Sequence, residues 1–188
     1  MSATSVDFNL RGCNWAAERG LMGYFKWVCQ LGCPWSYVTA QIAAENGHLD
    51  ILEWAVSNGC PPPKYNLRAV AEKGHLNIIQ WAHDQGIALE GFVCDVFAKS
   101  GHLQGLQWAR ENGYPWRQTA ELAANGGHLE VLVWARSQGC PWNFRTIQQA
   151  IENHHYRIVL WAINNGCPHP PIHPNVMATI IRLANEEE

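Results

Sequence analysis

Apolar residues along this chain recur with the period of an α-helix, in short segments that end at glycine and proline. In one segment Leu49, Leu52 and Val56 lie three or four positions apart and therefore share one face of a helix. Gly59 follows as a left-handed C-terminal stop, and Pro61 lies two residues further on, which is the usual order at a helix end. The pattern predicts a short amphipathic helix that ends at this glycine.

The segment recurs along the chain with a period of 27 residues. Six tryptophans, spaced 27, 27, 27, 26 and 27 residues apart, mark this period and are called the period tryptophans here: Trp27, Trp54, Trp81, Trp108, Trp134 and Trp161. A glycine stands five residues after each of them, and another stands seven residues before each of the first five. Such self-similarity is typical of repeat proteins, in which each copy is one supersecondary unit.

Each copy is predicted to contain two short helices, of which the second carries the period tryptophan. The first helix is rich in small residues, such as Ala43 and Ala44, which allow two helix backbones to approach closely. Helices of about ten residues are marginal alone, so packing between neighbouring copies has to stabilise them. The predicted helix pairs span residues 7–32, 36–59, 63–86, 90–113, 117–139 and 143–166.

The ends of the array are atypical, as expected for terminal repeats. In the last copy His154-His155-Tyr156 stands in place of a Gly-His-Leu triplet. The proline-rich segment 167–174 is incompatible with a helix, and residues 175–184 then predict a C-terminal capping helix. We expect all of these elements to form a single domain over residues 1–188.

The repeated unit resembles the ankyrin repeat family. Gly-His-Leu triplets, each with an alanine three residues before the glycine, are similar to that family's inner turn and occur at 47–49, 74–76, 101–103 and 127–129. The family's period is about 33 residues, and the shorter period here leaves too few residues for its projecting β-hairpin. The resemblance implies an all-α solenoid of about six ankyrin-like helix-turn-helix repeats without β-hairpins, plus the capping helix. Short, Trp-rich variants of this kind resemble those of giant DNA viruses and protists.

Charge and hydropathy exclude several classes of function. The 13 basic and 16 acidic residues are mixed along the chain, so the basic cluster of a nucleic-acid-binding protein is missing. No segment approaches the roughly 18 consecutive apolar residues of a membrane span, and the first dozen residues lack the apolar core of a secretory signal. We expect a cytoplasmic protein, in the host cytoplasm if it is viral, that binds neither nucleic acid nor a membrane.

The histidines and known catalytic motifs predict neither a metal site nor an enzyme. No Gly-rich phosphate loop, His-Glu-x-x-His or serine elbow occurs. Neighbouring helices pack about 8–10 Å apart, too far for equivalent histidines to share a zinc ion, so we expect the repeated histidines to cap the second helix and brace the turn: His48, His75, His102 and His128. Cys167, His169 and His173, near His154 and His155, match no standard zinc spacing. We therefore expect no cofactor.

The cysteines and the other tryptophans are interpreted as structural. Four of the seven cysteines follow the stop glycine, one per copy, and a disulfide needs Cα atoms within about 7 Å: Cys33, Cys60, Cys140 and Cys167. We expect all seven thiols to be reduced. The period tryptophans are predicted to lie in the core, and the loop residues Trp35, Trp116 and Trp142 to pack across the next helix pair, whereas Trp15 is predicted to be partly exposed.

The candidate binding surface is one face of the first helices. One position there is polar in every copy, and in the resembling family it looks toward the concave side: Asn14, Gln41, Arg68, Asp95, Glu121 and Gln148. Three residues earlier, on the same face, lie Arg11, Val38, Tyr65, Phe92, Gln118 and Arg145. Both positions differ between copies although the fold makes the same demand of each. We therefore predict that this concave face binds another protein, with the central aromatic, Arg and Asp side chains as hot spots.

Alternatives stay open for the surface and for the role of the protein. Tyr65 and Phe92 occur in the two copies that lack a loop tryptophan, having Pro62 and Leu89 instead, so these aromatic rings are equally expected to fill that space. The protein is alternatively an adaptor or substrate receptor in a larger complex, such as a ubiquitin ligase. A further alternative is self-association through exposed loop tryptophans.

Overall fold

The computed structural model describes residues 11–60, 67–89 and 91–186, and the regular elements in these ranges are all helices. The all-α class predicted from the sequence is thus confirmed for this part of the chain. Its thirteen helices are α1 (Arg11–Arg19), α2 (Met22–Gln30), α3 (Tyr37–Glu45), α4 (Leu49–Ser57), α5 (Leu67–Glu72), α6 (Leu76–Asp84), α7 (Val93–Lys99), α8 (Leu103–Glu111), α9 (Thr119–Asn125), α10 (Leu129–Ser137), α11 (Phe144–Glu152), α12 (Tyr156–Asn164) and α13 (Pro174–Glu186).

Consecutive helices from α1 to α12 pack as six pairs, and each period tryptophan lies on the second helix of its pair. The last helix, α13, packs against α12. It begins at Pro174 rather than Asn175, because a proline at the first helical position has no hydrogen bond to lose there. The prediction that residue 174 is outside the helix is therefore wrong. None of the helices in the described ranges is long and apolar enough to cross a lipid bilayer.

The chain divides into two compact units, residues 1–89 and 90–188. In the first unit, α1 packs against α3 and α3 against α5. In the second unit, α7 packs against α9 and α9 against α11. Within each unit, first helices therefore lie next to first helices, as expected for stacked copies. That both units belong to one continuous repeat domain stays a prediction.

Each second helix ends in the left-handed glycine that the sequence predicts. At the end of α4 the N–H of Gly59 donates to the Val56 carbonyl at 3.1 Å, and the N–H of Cys60 donates to the Ala55 carbonyl at 3.0 Å. This pair of bonds is a Schellman motif, which requires a positive φ at the glycine, here 95°. The same two bonds end the other five second helices.

The period tryptophans lie at the edge of the core, so the prediction that they form it is wrong. Trp27 is 52% exposed, and the other five are half-buried. Apart from Phe25 in α2, the fully buried large side chains of the second helices are aliphatic, such as Ile51 and Leu52 in α4, and the first helices bury small residues such as Ala43. An indole ring is too large for this narrow layer, which leaves one edge of the ring in solvent.

Candidate functional site

The polar row of the first helices, predicted to be part of the binding surface, makes hydrogen bonds inside the chain. Asn14 Oδ1 accepts a hydrogen bond from Thr39 Oγ1 of the next first helix at 2.7 Å. In the second unit, Asp95 Oδ1 accepts one from Thr119 Oγ1 at 2.8 Å and one from the Gln118 N–H at 3.1 Å. These hydrogen bonds join neighbouring copies, because each threonine belongs to the first helix of the next copy. Both threonines are completely buried.

Other members of the row also have partners within the chain. Glu121 accepts a hydrogen bond from the Asn143 side chain of the next copy at 2.9 Å. The remaining three bond within their own helix, in the pairs Gln41–Glu45, Arg68–Glu72 and Gln148–Glu152. Half-buried residues of this row, such as Asn14 and Asp95, therefore hold copies together, whereas Arg68 and Gln148 are exposed.

The second predicted row is more open to solvent. Val38, Gln118 and Arg145 are exposed, and Phe92 is half-buried at the start of α7. Leu89, which replaces a loop tryptophan, is buried. Tyr65 and the side chain of Arg11 lie outside the described residues.

Two exposed aromatic residues next to this row were missed by the sequence reasoning. Tyr37 and Phe144 occupy the same position in the second and sixth copies, and they are 60% and 52% exposed. Each is the first residue of its helix and follows a capping residue, Ser36 or Asn143, whose side chain accepts a backbone N–H. An aromatic residue directly after an N-cap is the sequence signal that marks this position.

An apolar groove with a volume of about 450 Å³ lies along α11. It is lined by Phe144, Ile147, Gln148, Ile151 and Glu152 of α11 and by His169, Pro170 and Ile172 of the segment after α12. Ile147 is 3% exposed at its floor, and Ile151 is 40% exposed at its wall. The groove contains Gln148 from the predicted surface and places it among apolar side chains.

The groove forms because α11 has large side chains where α9 has small ones. Ile147 and Ile151 correspond to Ala120 and Ala124 of α9, which are buried where α11 packs against that helix. The helix that follows the last pair, α13, packs against α12 instead of continuing this row of first helices. The isoleucines fill part of the space that a further first helix would take, and the remaining space forms the groove.

The polar rim of the groove is occupied by bonds within α11. The Gln148 amide donates to one oxygen of Glu152 at 2.8 Å, and the Gln149 amide donates to the other at 2.9 Å. The carboxylate is therefore held against its own helix. The groove offers mainly apolar surface, so a group that binds there has to be apolar as well.

The repeated histidines reach back to the preceding copy. His48 Nε2 lies 3.1 Å from the Glu18 carbonyl oxygen, and its ring covers Gly20, where a Cβ would be 2.5 Å away. The same contact recurs in the pairs His75–Gly47, His128–Gly101 and His155–Gly127. The side chains of His48, His75, His102 and His128 make no capping hydrogen bond to their own helices, so the capping role predicted for them is wrong.

At His128 the contact is accompanied by burial. Burial lowers the pKa of the His128 imidazole, although the hydrogen bond to the Lys99 backbone acts in the opposite direction. The neutral ring is therefore the favoured form between the two copies. A glycine is needed under each ring, because any Cβ there would displace it.

The last copy has His154 at the turn position where the other copies have glycine. It adopts φ 62°, a left-handed conformation that costs an L-residue about 1 kcal/mol. Replacing His154 by glycine is expected to raise the free energy of unfolding by about 0.5–1 kcal/mol. Urea melts measure the change; a destabilised His154→Gly variant would show that the His154 contact with the Tyr156 hydroxyl outweighs the strain.

The loop tryptophans pack on the period tryptophans of the next helix pair, as predicted. The ring centroids are 5.8 Å apart for Trp35–Trp54, 6.1 Å for Trp116–Trp134 and 5.7 Å for Trp142–Trp161. In the second unit, the guanidinium groups of Arg110 and Arg136 lie over the rings of Trp116 and Trp142, 4.3 Å from the ring centroids. The loop tryptophans are half-buried by these contacts, and self-association through them stays a prediction.

The structure gives the remaining chemical candidates no common site. Among the described residues, no three His, Cys, Asp or Glu side chains are arranged to hold a metal ion. The Cys167 thiol donates to the Asn143 carbonyl at 3.3 Å, and His169 Nδ1 lies 2.7 Å from the Pro170 carbonyl oxygen. The groove along α11 has the most apolar lining of the cavities described in the second unit.

No protein-family model matches this sequence, and no curated protein is significantly similar to it. The ankyrin resemblance accordingly rests on the residues that this chain itself repeats.

Proposed function

We propose that this protein is a cytoplasmic ankyrin-like repeat solenoid that binds another protein through the face formed by its first helices. The paired helices, the left-handed glycine stops and the histidine contacts between copies support the repeat assignment. A row of first helices presents equivalent positions side by side, which suits recognition of an extended partner. The adaptor role in a larger complex stays a prediction, and an adaptor would bind its partner through the same face.

The observation that carries this proposal is the apolar groove along α11. Phe144 and Ile151 stand beside a cavity whose volume lies within the range of ligand sites, about 300–1,000 Å³. Ligand pockets for small polar molecules have several convergent polar groups, whereas the Gln148 and Glu152 groups here bond each other. Transfer of a large apolar side chain from water into such a groove contributes about 1.5–3 kcal/mol. The geometry favours an apolar segment of another protein.

The shape of the groove also restricts the partner. A further first helix would have to approach as closely as α11 approaches α9, over Ala120 and Ala124. Ile147 and Ile151 prevent that approach because their branched side chains occupy the same positions. The occupant is therefore a peptide segment that inserts large apolar side chains, such as Leu, Ile or Phe, between α11 and residues 170–172.

Selection from a phage-displayed random peptide library tests this function. Peptides enriched on the wild-type protein are expected to contain large apolar residues, and Phe144→Ala and Ile151→Glu should weaken their binding at least about tenfold, the loss of one buried apolar anchor. Tyr37→Ala is the matched control, because Tyr37 has the same repeat position and similar exposure on a helix, α3, that the next first helix α5 packs against. A change in peptide binding counts only for a variant whose melting temperature equals that of the wild-type protein. The proposal fails if no peptide is enriched, or if the enriched peptides bind Phe144→Ala and Ile151→Glu as tightly as wild type.

A further inference from the structure

Three cysteines meet in the first helix pair, although only one of them lies on the repeated cysteine position. The sulfur atoms of Cys13 in α1 and Cys29 in α2 are 3.6 Å apart. The Cys13 thiol also contacts the Cys33 carbonyl oxygen, at 3.7 Å. Cys13 is completely buried and Cys33 nearly so, whereas Cys29 is half-buried. The arrangement places one accessible thiol against one enclosed thiol.

We propose that Cys13 and Cys29 form a reversible disulfide when the protein meets a peroxide. The sulfurs already touch, and a disulfide bond of about 2.05 Å needs them to approach by roughly 1.5 Å, which small side-chain rotations provide. Because α1 and α2 are packed against each other, the helices do not have to separate or slide. This proposal is independent of the groove and of partner binding.

The chemistry follows from the different burial of the two thiols. Cys29 can meet the peroxide, so its thiolate attacks one peroxide oxygen; the O–O bond breaks, Cys29 becomes a sulfenic acid, and the leaving hydroxide takes a proton to form water. The Cys13 sulfur then attacks the Cys29 sulfur, the S–O bond breaks, and the hydroxide leaves with the Cys13 proton as a second water. Two thiols lose two electrons and the peroxide gains them. A small thiol such as glutathione reverses the reaction by exchange.

The surroundings set the rate and the direction of attack. Burial raises the pKa of both thiols, and the contact with the Cys13 thiol partly opposes this at Cys29. The thiolate of Cys29 is therefore scarce near neutral pH, which makes the oxidation slow there and faster as the pH rises. Cys13 keeps its proton until the second step.

The cross-link would stabilise the first helix pair. It joins residues 16 positions apart in α1 and α2, and it removes conformational freedom from the unfolded chain. We expect oxidation to tie α1 to α2 and to raise the melting temperature by roughly 5 °C.

Treatment of the full chain with stoichiometric hydrogen peroxide, followed by thiol alkylation and intact-mass measurement, tests the proposal. The thiol count is expected to fall from seven to five, because two thiols are consumed, and dithiothreitol should restore both the count and the melting temperature. Cys33→Ser and the control Cys60→Ser should still lose two thiols. Cys29→Ser should lose none to a disulfide, and Cys13→Ser should leave a trappable sulfenic acid on Cys29.

Three outcomes would overturn the proposal. The first is a wild-type protein that keeps seven thiols under peroxide at pH 8. The second is a cross-link that survives Cys29→Ser, which would identify Cys13 and Cys33 as the pair. The third is a disulfide between two molecules, seen as a dimer on a non-reducing gel. Cys29→Ser is the deciding variant, because Cys29 is only half-buried and a serine is expected to be tolerated there. An unchanged melting temperature of the reduced variant shows that the fold is preserved.

Discussion

Replacing Gly101 by alanine is expected to lower the free energy of unfolding by about 3 kcal/mol. The residue has φ 78°, where an L-side chain costs about 1–2 kcal/mol. The added Cβ would also lie 2.5 Å from the His128 ring of the next copy and displace it. Displacement breaks the bond between that half-buried ring and the Lys99 backbone, and a lost hydrogen bond costs about 0.5–1.5 kcal/mol. Equilibrium urea unfolding measures the sum.

Gly113 provides a matched control for this prediction. Its φ is 79°, nearly the same, but a Cβ there would meet nothing within 4 Å. Gly113→Ala should therefore cost only the conformational strain, about 1 kcal/mol. In a His128→Ala background, Gly101→Ala should fall to the cost of Gly113→Ala. Equal costs for both glycines in the wild-type background would mean that the histidine contact between copies contributes nothing to stability.

Phe97→Ala is expected to be the most damaging truncation in the second unit, at about 3–5 kcal/mol. The Phe97 ring is completely buried and lies so close to Gly105 that a Cβ there would be 2.7 Å away. Its removal leaves a cavity that the surrounding helices cannot close without moving apart. Urea melts of the full chain, with the slope of unfolding checked for constancy, measure the loss.

Trp108 lies in the same copy and makes the comparison informative. It is half-buried, and its ring rests on Tyr114 with the centroids 5.9 Å apart. Part of the indole already faces water, so Trp108→Ala should cost clearly less than Phe97→Ala. If Trp108→Ala costs as much or more, the period tryptophans belong to the core after all.

The sequence was sufficient to predict what depends on local chemistry. The left-handed stop at Gly59 and the stacking of loop tryptophans such as Trp35 were predicted correctly, because a fixed offset in every copy reports a fixed local geometry. The extent to which each side chain is buried was harder to predict. A period shows that Trp54 recurs at an apolar position, but it does not show how much space the layer offers, and Ile51 and Leu52 fill that space first.

The candidate site needed contacts that a single copy does not show. The row containing Asn14 and Asp95 was predicted as a binding surface because it is polar in every copy, yet these two side chains bond threonines 24 or 25 residues away. The contact of Cys13 with Cys29 was missed because only the repeated cysteine position was compared. The groove at Ile151 depends on how the helix row ends, which no periodicity reports.

The most direct test of the central claim is to map where a selected apolar peptide contacts the protein. Titration of such a peptide into isotope-labelled protein, followed by NMR, is expected to shift the signals of Phe144, Ile147, Ile151 and Ile172 first and most strongly. Nuclear Overhauser contacts should join the peptide's large apolar side chain to Ile147 and Ile151. Contacts confined to other helices, with the α11 signals unchanged at saturation, would contradict the account.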